Sequence, residues 1–372
     1  MQQYINIQFL RAMAATLVAV FHLIPHFNRQ QWQWPELFAW FSEFAYAGVD
    51  VFFVISGYVI WISTQSKAQP PTTGHFIYNR ATRIYFGYWP YFLLILGLVF
   101  WLAPARLDSV DLTGSFFLTQ IGIHKLLLPI AWTLTYELYF YLWFAALLLL
   151  PRAWLKPTIG LLMGMLVLIQ GYHIWAHDIY AIDNFPYIPF YLTFMTSPFC
   201  LEFLSGCLIG MYFQQRRIPW VKTGLLLALV WFVLGLWYQK THIMPTGSLT
   251  QGYFLPQRVL VFGVVSVLLV ACMVELEHRG TQLTPRLSKW LGGASYSIYL
   301  AHIPLIFMAK ELGFIGWLTG TLPWQELAFV VMLSLILLYS VLHYRIIEQP
   351  LMKLAKAGWQ KWARRGQQQT PA

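Results

Sequence analysis

Residues 9–27 read FLRAMAATLVAVFHLIPHF, an apolar run interrupted by Arg11 and His22. At about 1.5 Å of rise per residue such a run extends roughly 28 Å, close to the hydrocarbon thickness of a bilayer. The rest of the chain repeats the pattern. Further apolar windows fall near 38–62, 84–103, 131–150, 158–176, 196–213, 223–239, 257–275, 290–310 and 324–345. The predicted fold is all-α: a polytopic transmembrane bundle of about ten helices over residues 1–350, followed by a basic cytoplasmic tail, 351–372.

Composition excludes most other classes. Of 372 residues, 58% are hydrophobic and 10% are charged, where soluble domains carry about 25% charged residues. The formal charge is +10, but the basic residues lie between apolar runs, which argues for membrane topology rather than nucleic-acid binding. Cys200, Cys207 and Cys272 all sit in apolar stretches with no CxxC pair and no zinc-like spacing, so no disulfide framework and no metal site is expected. The first apolar run has no charged n-region before it and no small-residue cleavage site after it, and reads as a retained helix.

Orientation follows from the loops that carry Lys and Arg. With both termini inside, 17 of the 24 basic residues fall on the cytoplasmic side and 6 outside, with Arg11 inside the first window. Arg258 is counted among the outer set. The chain is expected to cross the membrane many times, with both termini cytoplasmic.

Ionisable side chains cost about 2.5 to 3.5 kcal/mol within a membrane helix, so each is a functional candidate. The candidates are Arg11, His22, Asp50, Glu137, Glu202 and His302. Eleven positions from Arg11 to His22 are about three helical turns, so both face one way, with His22 about 16 Å deeper. In AYAGVDVFFVISGY, Asp50 lies near the level of His22, where a carboxylate would orient an imidazole acting as general base. The alternative for Asp50 is an ion pair with a distant Arg that seals helix packing. Glu137, in IAWTLTYELYFYL, is placed in the outer half of its helix, and His302, in WLGGASYSIYLAHIPL, at mid-membrane. Arg80 and Arg83, at i and i+3 in FIYNRATRIYFGYWP, share one face at a cytoplasmic helix start and could grip phosphates or simply anchor the topology.

Six stretches in order, LRAMAATLVAVFHL, GVDVFFVISGYVI, NRATRIY, WTLTYELYFYL, LGGASYSIYLAHIPL and RIIEQPLMKL, span residues 10 to 354. Together they resemble the acyltransferase 3 family, integral membrane enzymes that O-acetylate bacterial surface polysaccharides. The resemblance implies an acyl-coenzyme A donor, acetyl-coenzyme A foremost, bound from the cytoplasm. It also implies a saccharide hydroxyl as acceptor, polysaccharide-assembly proteins as further partners, and roles for Arg11, His22, Arg80 and Arg83. Some members carry a C-terminal hydrolase-like domain, for which this chain has no room. Single-domain members of this length look like exopolysaccharide acetyltransferases. In the resulting scheme Arg80, Arg83 and Arg11 hold the donor, His22, oriented by Asp50, acts as base or forms an acetyl-His intermediate, and Glu137 and His302 are assigned to acceptor binding or proton relay. The competing class is a proton-coupled secondary transporter of a small or lipid-linked saccharide, against which stands the lack of an internal repeat.

Overall fold

The computed structural model describes residues 4–27, 33, 35–65, 72–119, 122–176, 190–243, 249 and 255–368. Among these every regular element is helical. The principal helices are α1 (Ile5–Leu23), α2 (Pro35–Phe44), α3 (Gly48–Gln65), α4 (Thr73–Leu102), α5 (Trp132–Leu147), α6 (Arg152–Ala176) and α7 (Phe199–Phe213). They continue as α8 (Val221–Tyr238), α9 (Val264–His278), α10 (Pro285–Gly293), α11 (Ser295–Glu311), α12 (Gln325–His343) and α13 (Gln349–Gln368).

All ten expected windows contain helix, but not all of it is long enough to span. Among the described residues seven helical stretches meet the length and hydropathy of a membrane span, or eight if α10 and α11 are taken as one. The shortfall has a physical origin. Helix α7 has 15 residues and α5 has 16, below the roughly 20 needed to cross. The ninth window is interrupted at Ala294, after the paired Gly292 and Gly293.

The chain divides into two compact units, each discontinuous in sequence. The first comprises residues 1–24, 34–70 and 146–292. In it α3 packs against α1, α7 and α9 through a core that includes Leu10, Val54, Ile55, Tyr58, Ile209 and Val270. Small residues set the spacing of α3. A Cβ on Gly57 would lie 1.8 Å from the Phe203 carbonyl oxygen, and one on Gly206 would lie 2.0 Å from that of Val54, so the backbones of α3 and α7 touch. Helix α1 is pinned at its start, where the Ile5 and Asn6 amides donate to Glu277 Oε1 and Oε2 at 2.6 and 2.9 Å. A carboxylate there satisfies otherwise unpaired amides and opposes the helix dipole. Helices α6 and α8 turn apolar side chains outward, Leu168 being 74% and Trp175 84% exposed, the surface expected to face lipid rather than water.

The second unit comprises residues 25–33, 71–145 and 293–372. Here α4 packs on α11, and α11 on α12. The basic tail is helical in its described part and docks against the start of α4. Tyr78 donates its hydroxyl to the Ala355 carbonyl at 3.0 Å, and the Trp359 ring stacks on His75 with centroids 5.1 Å apart. This face of α13 is thus packed on protein.

Candidate functional site

Within the first unit, α1 carries Arg11 and His22, both half-buried. His22 Nδ1 lies 2.9 Å from the Val18 carbonyl oxygen one turn back. A carbonyl only accepts, so Nδ1 is the donor in this contact. The Phe21 ring meets the imidazole edge-on, centroids 5.0 Å apart.

Asp50 does not orient His22. Its carboxylate, fully buried at the start of α3, is taken by Arg258, whose Nη2 is 2.7 Å from Oδ2 and whose Nε is 3.2 Å from Oδ1. The distant-Arg alternative is what the structure shows. Arg258 is 3% exposed and its guanidinium lies 5.0 Å from each of the Tyr46 and Phe199 ring centroids. It is an intramembrane ion-pair partner, and its place among the outer topology anchors is corrected accordingly. Glu202 lies against the same pair. Both of its carboxylate oxygens are buried without a hydrogen-bond partner among the described residues, and Gly263 makes room for them, since a Cβ there would stand 2.7 Å from Oε1.

The second unit builds a different cluster on α4. Arg80 lies over the Phe76 and Tyr141 rings at 5.5 and 5.4 Å. The Tyr141 hydroxyl donates to Glu137 Oε1, one turn away on α5. Arg83, half-buried, makes no hydrogen bond or ion pair among the described residues. Its electrostatic neighbours are Tyr141, Glu348, Glu137 and Tyr296. Glu137 thus joins the Arg pair rather than a separate outer level. Leu126, Leu127 and Leu128, just before α5, are at most 1% exposed, so α5 begins inside its unit.

Helix α11 closes the cluster. Tyr296 lies flat on Gly87, where a Cβ would come within 2.2 Å of its Cε1, and donates its hydroxyl to the Ile84 carbonyl at 3.0 Å. Ser297 Oγ donates to Glu348 Oε2 at 2.7 Å and lies 3.5 Å from His343 Nδ1, which the Tyr91 hydroxyl meets at 2.8 Å. Glu348 ends a π-helical turn, Tyr344–Glu348. A π-turn shifts the helical register, a device frequent at functional sites, and it buries Glu348 to 5% exposure while Arg345, Ile346 and Ile347 face outward. His302, fully buried, directs Nδ1 to the Ile298 carbonyl at 3.2 Å, the local arrangement of His22. Sequence reasoning left Glu348, Ser297, His343 and Arg258 unassigned, although RIIEQPLMKL contained Glu348. Among the described residues no group of three His, Cys, Asp or Glu could hold a metal ion.

Among the described residues the chain is all-helical, with seven or eight stretches able to cross a membrane. The family described as Acyltransferase domain matches residues 4–343, and the chain belongs to this family, acyltransferase 3. It is an acyltransferase. An exopolysaccharide production protein of Rhizobium meliloti is 31% identical over 320 residues, 84% of this chain and 90% of that protein. A peptidoglycan O-acetyltransferase of Listeria monocytogenes is 25% identical over 94% of this chain, which spans 56% of the Listeria protein's length. Nodulation protein 10 of Rhizobium leguminosarum is 26% identical, over 94% of this chain and 93% of that protein. No solved structure matches the chain.

Proposed function

We propose that this protein moves an acetyl group from acetyl-coenzyme A to a hydroxyl of an exopolysaccharide or other cell-surface sugar in a bacterial inner membrane. The observation that carries the reading is Arg83: a half-buried guanidinium with no hydrogen bond or ion pair among the described residues, one helical turn from Arg80. A planar fork of donors is suited to bidentate capture of phosphate, and a coenzyme A thioester supplies phosphates. The resemblance of the chain to an exopolysaccharide production protein and an O-acetyltransferase supports the acceptor class.

In this reading His22 Nε2 accepts the acceptor hydroxyl's proton as the oxygen attacks the thioester carbonyl; the carbon–sulfur bond breaks and the sulfur departs, to be protonated as free thiol. The same nitrogen serves a two-step route through acetyl-His22, with Nδ1 engaged by the Val18 carbonyl. Glu137, Arg11 and His302 are proposed to help bind or relay protons to the substrates.

Arg83→Ala is expected to raise the apparent dissociation constant of acetyl-coenzyme A by about 10- to 150-fold, the range for a lost charged hydrogen bond. Calorimetry on detergent-purified protein checks this, and unchanged affinity would return Arg83 to topology anchoring. It also separates enzyme from transporter, since a saccharide transporter has no use for the thioester. With Arg258 set aside as an ion-pair partner, the 17 to 5 distribution of basic residues supports both termini in the cytoplasm. Cysteines introduced after Pro350 and beside Asp111 are then expected to be labelled from opposite faces of the membrane; labelling from one face would refute that topology.

A further inference from the structure

Arg83 has two carboxylates for electrostatic neighbours, Glu137 and Glu348, and pairs with neither. In a bundle interior such a guanidinium would ordinarily collapse onto the nearer acid, since a charged hydrogen bond contributes about 1.5 to 3 kcal/mol. Each acid accepts a hydrogen bond from a hydroxyl, Glu348 from a neighbouring helix and Glu137 from one turn along its own. Ser297 Oγ, fully buried on α11, donates to Glu348 Oε2 at 2.7 Å, and the Tyr141 hydroxyl donates to Glu137 Oε1. Ser297 is itself located by His343 Nδ1 at 3.5 Å, which is in turn fixed by the Tyr91 hydroxyl at 2.8 Å. The π-turn that presents Glu348 adds a second constraint on where that carboxylate can reach.

We infer that Ser297 and Tyr141 are positioning residues that hold Glu348 and Glu137 out of ion-pair contact with Arg83, keeping its guanidinium open for the phosphates of the acyl donor. The inference rests on the donor reading above. The carboxylates keep the cluster electrically balanced in the empty state, with Arg80 and Arg83 opposite Glu137 and Glu348, and the hydroxyls stop that balance from becoming a salt bridge that competes with the ligand. Preorganisation of this kind lowers what binding must spend on reordering the site.

The test uses acetyl-coenzyme A binding and thermal melting of the full chain in detergent. Ser297→Ala frees Glu348 to pair with Arg83, so affinity is expected to fall about tenfold, the lower end for one charged hydrogen bond, with no loss of melting temperature. Adding Glu348→Gln removes the competing charge and is expected to restore affinity to within about twofold of wild type. That rescue is what a merely structural role for Ser297 could not produce. Tyr141→Phe, which preserves ring volume and the Arg80 stack, is expected to weaken binding in the same way and covers the case in which Ser297→Ala folds poorly. Wild-type affinity in both Ser297→Ala and Tyr141→Phe, or weakening of Ser297→Ala that Glu348→Gln does not reverse, would overturn the inference while Arg83→Ala still reports on the donor site. If Arg83→Ala leaves affinity unchanged, the donor reading itself fails and the inference falls with it.

Discussion

His22→Gln is expected to abolish acyl transfer in a protein that still inserts, still folds and still binds acetyl-coenzyme A. Glutamine preserves much of the volume, and its amide can donate to the Val18 carbonyl that Nδ1 meets at 2.9 Å. What it lacks is a nitrogen able to take a proton or carry an acyl group near neutral pH. General-base catalysis contributes typically about 100- to 10,000-fold, so the loss in kcat should fall in that range with the donor dissociation constant unchanged. His302→Gln is the informative companion. His302 has the same bond to its own helix, to Ile298 at 3.2 Å, but is fully buried where His22 is half-buried. A base must reach its substrate, so His302→Gln should cost far less. Transfer at near wild-type rate by His22→Gln, measured in membranes matched for protein, would remove His22 as the base; a large kcat loss confined to His302→Gln would reassign the role.

Much of the bundle was legible because hydropathy over about 20 residues reports burial in lipid directly. The windows around α1, α4, α8 and α12 needed nothing more. The same signal misled where a helix is buried in protein instead of lipid. Helix α7 touches α3 backbone to backbone at Gly57 and Gly206, and its 15 apolar residues look like a truncated span although they are core. The site was legible as a set of residue types and obscure as a set of partners. Arg80 and Arg83 stood out as an i, i+3 pair, but Ser297 and Glu348 are 51 residues apart and meet only through a π-turn that no periodicity announces. Asp50 was recognised as a buried acid, yet its partner lies 208 residues away at the edge of an apolar window, where an Arg is indistinguishable from a topology anchor. Depth estimates assume that each helix starts at the membrane surface. Glu137 escaped that assumption because buried Leu126, Leu127 and Leu128 lead into its helix from within.

The ion pair of Arg258 and Asp50 sets the second large effect, and its two halves should not respond alike. Removing one member of a buried pair strands the other and typically costs about 3 to 5 kcal/mol. Here a third acid breaks the symmetry, because Glu202 lies beside the pair with both oxygens buried and no hydrogen-bond partner among the described residues. In Arg258→Met two acids share a dry site with no cation, so the full penalty applies and little protein should accumulate in membranes. In Asp50→Asn the guanidinium still has Glu202 as counter-ion and the stacked Tyr46 and Phe199 rings at 5.0 Å, so the melting temperature should fall much less. Pairing Arg258→Met with Asp50→Asn and Glu202→Gln removes every charge at once and should recover part of the lost stability, as apolar or neutral replacement of buried ion pairs often does. Thermal melting in detergent ranks the variants. Equal damage from Arg258→Met and Asp50→Asn would show that Glu202 does not act as the reserve counter-ion. An Asp50→Asn protein of normal stability that loses turnover by orders of magnitude would instead tie Asp50 to the chemistry of His22, against the bonding seen at its carboxylate.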